Sequence, residues 1–567
     1  MTMKTLKTDV LVVGGGGAGL RAALAVAEGG AEVVVTSKGP LSKSGITPVA
    51  MRGFQAPLDP RDTRESYYDD VVKEGRYLAD EDLVWTLASE ARETFEDLLS
   101  YGVEFRRDEK GDILQAWVPG QSTPRSVLLA RGGVGLTSGL ARKLRASPQA
   151  TILEDVIVLK ILKSGDGVCG ALIYDMRSSE LTKVLSGAVV MATGGNEALW
   201  PHTDCPPEST GSGMVLAYEC GAELVDMEQV LFYPSVVKFP TMIAGTIVPY
   251  EVSLDPDWIG GKIVNALGEE FLPPGKPPVR DTLMKLMYRE ILAGRGTEHG
   301  AVYLDLTRSP KGREEVERLV KIRLPDVEKQ FRQFGVDLLE QPLEIAPASH
   351  YTLGGIHIDV DCATNVKGLF AAGECSGNVH GANRLSGNAL TETQVFGRRA
   401  GRSALRYAGS VSRPAPSDEG IGECIAFIEE VKRPKQDGVS PYKAIRELKQ
   451  ILDRHAGIER DQKSMEQGLE KIARLRETCL GKLSAPSAAV WNMPLVAAIE
   501  FKVMLDMAVL VTRSAMERKE TRGHHIRTDY PDTLPEWRMH TMARRRDGEL
   551  KIGRKAVRKI ERRGNGG

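Results

Sequence analysis

An α/β fold that carries an insertion and is followed by helices is the class this sequence predicts, on three stretches. Residues 9–20 read as a short apolar strand running straight into Gly14-x-Gly16-x-x-Gly19, with an Ala-rich helix (20–27) and a second strand (32–37) behind. Strand, glycine turn, helix and strand within about 30 residues make a dinucleotide-binding βαβ unit. Residues 238–347 break that pattern with prolines and then with charge, and residues 349–401 resume it. From residue 441 the apolar positions fall at helical spacing (Ile445, Leu448, Leu452; Met465, Leu469, Ile472).

The composition narrows the class. The chain has 567 residues, 42% hydrophobic and 27% charged, with a net charge of −1, so no pull on nucleic acid is indicated. Seven scattered cysteines, none spaced C-x-x-C, argue against a disulfide scaffold, a zinc ribbon or an iron–sulfur cluster in this chain. No apolar run reaches the length of a membrane span. The reading is a cytoplasmic, reducing-compartment protein that reaches a membrane only through partners.

Each element then has its reason. The glycines at 14, 16 and 19 let backbone touch a pyrophosphate at a helix N-terminus, where N–H groups and the dipole favour anions. Ser37-Lys38 ends the second strand where an acid usually takes ribose hydroxyls. Residues 40–51 form a Gly/Ser/Pro loop that could run along a ligand or lie on the surface. Residues 82–101 have helical spacing. Residues 181–192 read as one buried strand opening into Thr193-Gly194-Gly195, and residues 210–213 open another helix.

The insertion reads as a cap that closes over substrate and excludes water. Inside it Arg280 stands at a helix entry (282–292), ended by Gly294-Arg295-Gly296; a surface ion pair with Asp281 or Glu290 is its ordinary explanation. The run 494–512 is apolar but interrupted by charge, hence a buried helix. Residues 518–531 are densely polar, with His524 and His525 adjacent. The basic tail, 544–563, is a solvated terminus or a dock for an acidic partner. In the stretch 349–401, His350 precedes Gly354-Gly355. An apolar strand breaks at Gly373-Glu374, and Arg384 stands in a polar turn before a helix, where a guanidinium can fork onto a carboxylate.

With GGGGAGL at Gly14, ATGG at Ala192, the Arg-Asp helix at Arg280, HYTLGG at His350, GECSGNVHGANRLSGNAL at Gly373 and RKETRGHHIRTDYP at Arg518, the chain resembles the flavoprotein subunit family of succinate dehydrogenase and fumarate reductase, which includes L-aspartate oxidase. The resemblance implies a Rossmann-type FAD-binding domain (1–237 and 348–410), an inserted α+β capping domain (238–347), a helical domain (411–515) and a small C-terminal domain (516–567). It also implies hydride exchange between flavin N5 and a carbon next to a carboxylate, with electrons passed by an iron–sulfur partner subunit.

Carried over by motif, Arg280 is the proton shuttle with Glu251 as relay, and His350 and Arg384 grip the substrate carboxylate. Tyr233 and Tyr250 stand where the family has a His and a Thr on the substrate, which puts a C4 dicarboxylate in doubt. Implied cofactor contacts are Gly14, Gly16, Gly17, Ala18, Gly19, Ser37, Lys38, Ser44, Gly45, Val156, Ala192, Thr193, Gly194, Ser212, Glu374, Arg384, Asn388, Ala389 and Leu390. Gly45 replaces the flavin-linked His of respiratory members, so FAD is expected to be noncovalent, and no metal is expected in this chain. L-aspartate oxidase and a relay or scaffold flavoprotein subunit without substrate chemistry are the alternatives.

Overall fold

The computed structural model describes residues 3–51, 53–411 and 417–560. Its centre is a five-stranded, all-parallel sheet in the order Leu369–Ala371, Ala188–Met191, Val10–Val13, Val33–Ser37, Ala150–Glu154. The first four strands are buried along their whole length, as a parallel sheet covered on both faces requires. The helix Gly17–Glu28 covers it and packs on the helix Asn388–Ser410. A Cβ on Gly397 would stand 2.7 Å from the Ala18 carbonyl oxygen, and one on Gly401 2.3 Å from that of Ala22. Small residues four apart therefore let the two backbones touch, which locks the second half of the nucleotide fold onto the first.

Residues 181–192 form two strands, not one. Leu181–Leu185 joins a separate sheet with Met3–Lys7, Gly167–Asp175 and Val156–Ser164, while Ala188–Met191 enters the central sheet. The break falls at Ser186-Gly187, where the chain changes layer; an unbroken apolar run hides such a step.

The insertion has its own core, from Leu231 to Leu353, and its own antiparallel sheet: Val230–Phe239, Leu343–Thr352, Val302–Asp305 and Lys262–Val264. The strands by which the chain enters and leaves it pair with each other, so the boundaries drawn at 237/238 and 347/348 fall inside strands. Composition does not change along a continuous strand, and only the pairing shows the unit.

The helices Pro441–His455, Gln462–Cys479 and Met493–Glu517 pack together and share the hydrophobic core of the nucleotide sheet. The last crosses the boundary drawn at 515/516. Among the described residues no helix is long and apolar enough to cross a membrane. Most of the basic tail is a hairpin, Met539–Arg546 with Glu549–Ala556, and residues 561–563 lie outside the described residues. The hairpin completes a sheet with Leu224–Val225 and Gly355–Ile356, so the C-terminal segment is built into the nucleotide half. Two-residue strands carry no readable period, so the sequence gives no sign of this joining.

Candidate active site

A cleft of about 530 Å³ runs between the nucleotide sheet, the loop 40–51 and the cap. Gly14, Gly16, Gly17 and Ala18 line its floor. Gly14 has φ +118°, and a Cβ there would stand 2.0 Å from the Ala192 carbonyl oxygen, so only glycine fits. Gly19 does not line the cleft; its missing Cβ would stand 1.8 Å from Gly14 O, so it serves close helix–strand approach.

The helix Gly17–Glu28 begins with no N-cap side chain and no acid in its first turn; the Gly17 N–H is held by Thr47, and the N–H groups that follow are left for an anion. Gly387 starts the helix Asn388–Ser410 in the same bare way, with Ala389 and Leu390 on the cleft. Two uncapped helix N-termini on one glycine-floored cleft fit FAD: one suits the pyrophosphate, the other an electron-rich edge of the ring system.

Ser37, Lys38, Ser44, Gly45, Val156, Ala192, Thr193, Gly194 and Ser212 line the same cleft. Lys38 Nζ pairs with Glu500 Oε1 at 2.8 Å, tying this rim to the helical bundle. The loop 40–51 does run along the cleft, and the Gly17 N–H donates to Thr47 Oγ1 (3.1 Å). Glu374 lies on the cleft and accepts from the Thr352 N–H (2.9 Å); burial, with Glu197 beside it, pushes its carboxyl well above the usual range. Asn388 is not on the cleft: its Oδ1 accepts from the Tyr67 hydroxyl at 2.7 Å.

At the cap end, the acids expected to pair with Arg280 are taken: Asp281 by Arg76 (2.7 Å) and Glu290 by Arg295 (2.6 Å). Arg280, the first residue of the helix Arg280–Glu290, points into the cleft instead. Its Nη2 donates to Ser386 Oγ (2.8 Å) and Glu251 Oε1 (3.2 Å), and its guanidinium lies over the Tyr233 ring, 5.0 Å from the centroid. Burial is the largest single influence and works against its charge, but Glu251, Tyr233 and Tyr250 together hold its pKa above the ordinary arginine value. Nε and Nη1 of Arg280 are buried without a partner.

His350 lies on the strand Leu343–Thr352, with Nδ1 2.7 Å from Asp204 Oδ2 and Nε2 3.1 Å from Arg384 Nη2. An arginine can only donate, so Nε2 accepts and the ring proton sits on Nδ1, toward Asp204. Arg384 stacks over Tyr351 at 4.3 Å and forms no ion pair among the described residues. Burial, with Arg280 nearby, pulls its pKa down to about 10, and its Nε has no partner. The Tyr233 hydroxyl donates to Glu251 Oε2 (2.6 Å). Tyr250 sits 5.8 Å from the Tyr233 ring and does not line the cleft, so it is placed to support Tyr233 and not to touch substrate.

Two further site residues are not singled out by the sequence. Asp204 lies 146 positions from the His350 it orients, and Ser386 reads only as part of a turn. No local pattern marks Asp204. The adjacent histidines are structural: His524 Nε2 meets Asn383 Oδ1 (3.1 Å), and His525 Nδ1 meets Arg460 Nη1 (3.0 Å).

Comparison with known proteins gives the class first. A family model described as "FAD binding domain" matches residues 9–390, and one described as "Fumarate reductase flavoprotein C-term" matches residues 445–562. The chain is 36% identical to one subunit of the fumarate reductase (CoM/CoB) of Methanothermobacter marburgensis, over 98% of this chain and 100% of that one. It is 31% identical to the fumarate reductase flavoprotein subunit of Mycobacterium tuberculosis, over 97% of each. Among solved structures, Escherichia coli quinol fumarate reductase superposes with a TM-score of 0.90 at 29% identity, over 98% of each chain. The protein is an FAD-dependent oxidoreductase. It belongs to the fumarate reductase and succinate dehydrogenase flavoprotein subunit family.

Proposed function

We propose that this chain reduces the double bond of an α,β-unsaturated carboxylate, with fumarate as the reference member of that class. The observation that carries the reading is the convergence on one cleft of Arg280 from the cap, His350 from the strand by which the chain leaves the cap, and Arg384 from the nucleotide half, each arginine keeping unpartnered donors. Bound FAD supplies the two electrons. Arg384 and His350 hold the carboxylate and stabilise the negative charge that develops as the alkene is reduced. Arg280 delivers the proton to the carbon left with that charge, and Glu251, hydrogen-bonded to Arg280 and Tyr233, is the relay that replaces it. Arg280 reaches Ser386 across the cleft, so proton delivery requires the cap to be closed.

FAD is read as noncovalent. Gly45, with φ +81°, offers no side-chain atom to bond the ring. Unlinked flavin favours alkene reduction over succinate oxidation. An iron–sulfur protein is the expected electron partner, since none of the seven cysteines is placed with others as a metal group among the described residues. A cytoplasmic setting follows the same reading. The test is a screen of the purified chain with reduced viologen dye against fumarate and other enoates; absence of any enoate reduction, with or without an iron–sulfur partner, defeats it. Acid precipitation should release all the yellow colour into the supernatant, and colour in the pellet means a covalent link.

A further inference from the structure

We infer that Arg76 is a positioning residue for the proton step. Through its ion pair with Asp281 it holds the first turn of the cap helix against the nucleotide half, with the neighbouring Arg280 aimed into the cleft; this rests on the proton-donor role proposed above. Arg76 lies before the insertion and Asp281 within it, so the pair joins the two halves of the molecule. The contact is a fork on a fork: Nε stands 3.0 Å from Asp281 Oδ2, and Nη2 2.7 Å from Oδ1. Two parallel bonds fix an angle as well as a distance, which a single bond does not. Asp281 is 3% exposed, and no other cation forms an ion pair with it among the described residues. A buried carboxylate is costly unless it is paired, so the closed cap depends on Arg76 being in place.

Both ends of the pair are braced. On the nucleotide side, Arg76 and Tyr77 are successive non-glycine residues with positive φ, +55° and +58°. Side-chain-bearing residues rarely adopt that backbone, and it persists only where the surroundings impose it. Here Arg522 Nη1 donates to the Arg76 carbonyl (2.7 Å), and the Ala382 N–H donates to the Gly75 carbonyl (2.9 Å). Ala382 stands two residues before Arg384, so the turn that carries the carboxylate-binding arginine also supports the clamp. On the cap side, Asp281 is the second residue of the helix Arg280–Glu290, where an acid also suits the helix dipole. Arg280 precedes it, about 100° around the helix. Its tip is held by Ser386 Oγ (2.8 Å), and Gln55 Nε2 fixes the Ser386 carbonyl in turn (2.5 Å). One helical turn is thus attached to the nucleotide half at two points, by charge at Asp281 and by a hydrogen bond at Arg280. Nε and Nη1 of Arg280 are left unpartnered for the proton step. Arg76 itself transfers nothing; no bond forms or breaks there.

The experiment uses the FAD-loaded full chain with reduced viologen, and fumarate and crotonate as the enoates. Arg76→Gln is compared with Arg76→Lys, Asp281→Asn and the double variant Arg76→Gln/Asp281→Asn. In Arg76→Gln, kcat is expected to fall roughly tenfold or more, since a reacting group displaced by about 1 Å loses up to about a hundredfold. The dye should still reduce the bound flavin at the parent rate, with FAD content and unfolding midpoint unchanged. Arg76→Lys keeps the charge without the fork and should recover only part of the loss. The double variant should fall no further than the worse single one, as two partners in one interaction require. A fall of less than tenfold, losses that multiply in the double variant, or a fall matched by lost flavin or a lowered midpoint overturns the inference and leaves the proposed function standing. Should Arg76→Gln not accumulate, slowed turnover at full flavin content in Arg76→Lys supports the inference, and parent turnover there overturns it. Near-normal turnover in both Arg280→Lys and Arg280→Ala, or no turnover of either enoate by the parent chain, overturns the proposed role and this inference together.

Discussion

Two of the arginine-rich clusters that the protein buries differ in one respect. In the cleft, Arg280 and Arg384 keep donor atoms with no partner. At the C-terminal junction, every nitrogen of Arg518 is used: Nε on Glu228 (2.6 Å), Nη1 on Glu520 and the Trp537 carbonyl, Nη2 on Asp226 and the Met539 carbonyl. Every nitrogen of Arg522 also has a partner, in Glu520 and the Arg76 and Leu534 carbonyls. Both clusters are buried. Unmet hydrogen-bonding capacity on residues that also line an open cleft sets the first cluster apart, since buried scaffold arginines such as Arg460 also keep an unpartnered nitrogen.

The comparison breaks most visibly at Arg518. Arg518→Ala leaves Glu228 buried without its cation and takes one of two cations from Asp226 and from Glu520, and unpairing a buried charge costs about 3–5 kcal/mol. The expected outcome in urea unfolding is a loss on that scale, or a failure to accumulate folded protein; an unchanged midpoint removes the cluster's structural role. Arg280→Lys should do the reverse. Turnover falls on the order of a hundredfold, the scale of losing a general acid, while FAD content and unfolding midpoint hold. Near-normal turnover in both Arg280→Lys and Arg280→Ala would dismiss Arg280 as the proton donor.

Arg384→Gln sharpens the contrast further. It removes a buried cation that no carboxylate balances, so the unfolding midpoint should stay or rise, while calorimetry should show carboxylate affinity down by roughly tenfold or more, as expected when a charged hydrogen-bond partner is lost. A drop in stability matching that of Arg518→Ala would mean the two clusters do not differ.

The smallest expected effect is on pH. His540 lies between Asp226 (2.5 Å) and Asp80 (3.2 Å). Burial opposes its charge, but these acids raise its pKa from 6.5 to about 9. A folded value above the unfolded one stabilises fully below pH 6.5, and that contribution is lost as pH rises toward 9. Unfolding midpoints measured across that window should fall in the parent and fall less in His540→Gln; parallel curves would exclude this histidine as the source.

How far the sequence anticipates the molecule follows the same division. Gly14, His350 and Arg384 are legible because each sits in a dense local motif, whereas Arg280 reads by itself as a surface ion pair and is marked only by the family resemblance; all four are found on the cleft. Motif density does not tell the site from the scaffold, however. The run 518–531 is as dense as the run 373–390, and only its saturated partners mark it as structural. Asp204 is illegible because its tie to His350 is purely spatial. Asn388 and Tyr250 read as ligand contacts, yet one turns back to Tyr67 and the other backs Tyr233, since neighbours in a motif alternate between cleft and core. The Ser186-Gly187 layer change and the Leu224–Val225 strand leave no periodic trace.

The two strands that tether the insertion pair with each other, and one carries Tyr233 while the other carries His350. Arg280 and Glu251 both come from the segment between them, whereas Arg384 and the glycine cradle lie outside it. One continuous stretch thus forms the cap side of the cleft, and the flanking stretches hold the glycine cradle, Asp204 and Arg384. Recombination or drift confined to that stretch can change which alkene is accepted without disturbing the redox cofactor, so a lineage of this fold can explore new substrates one cassette at a time.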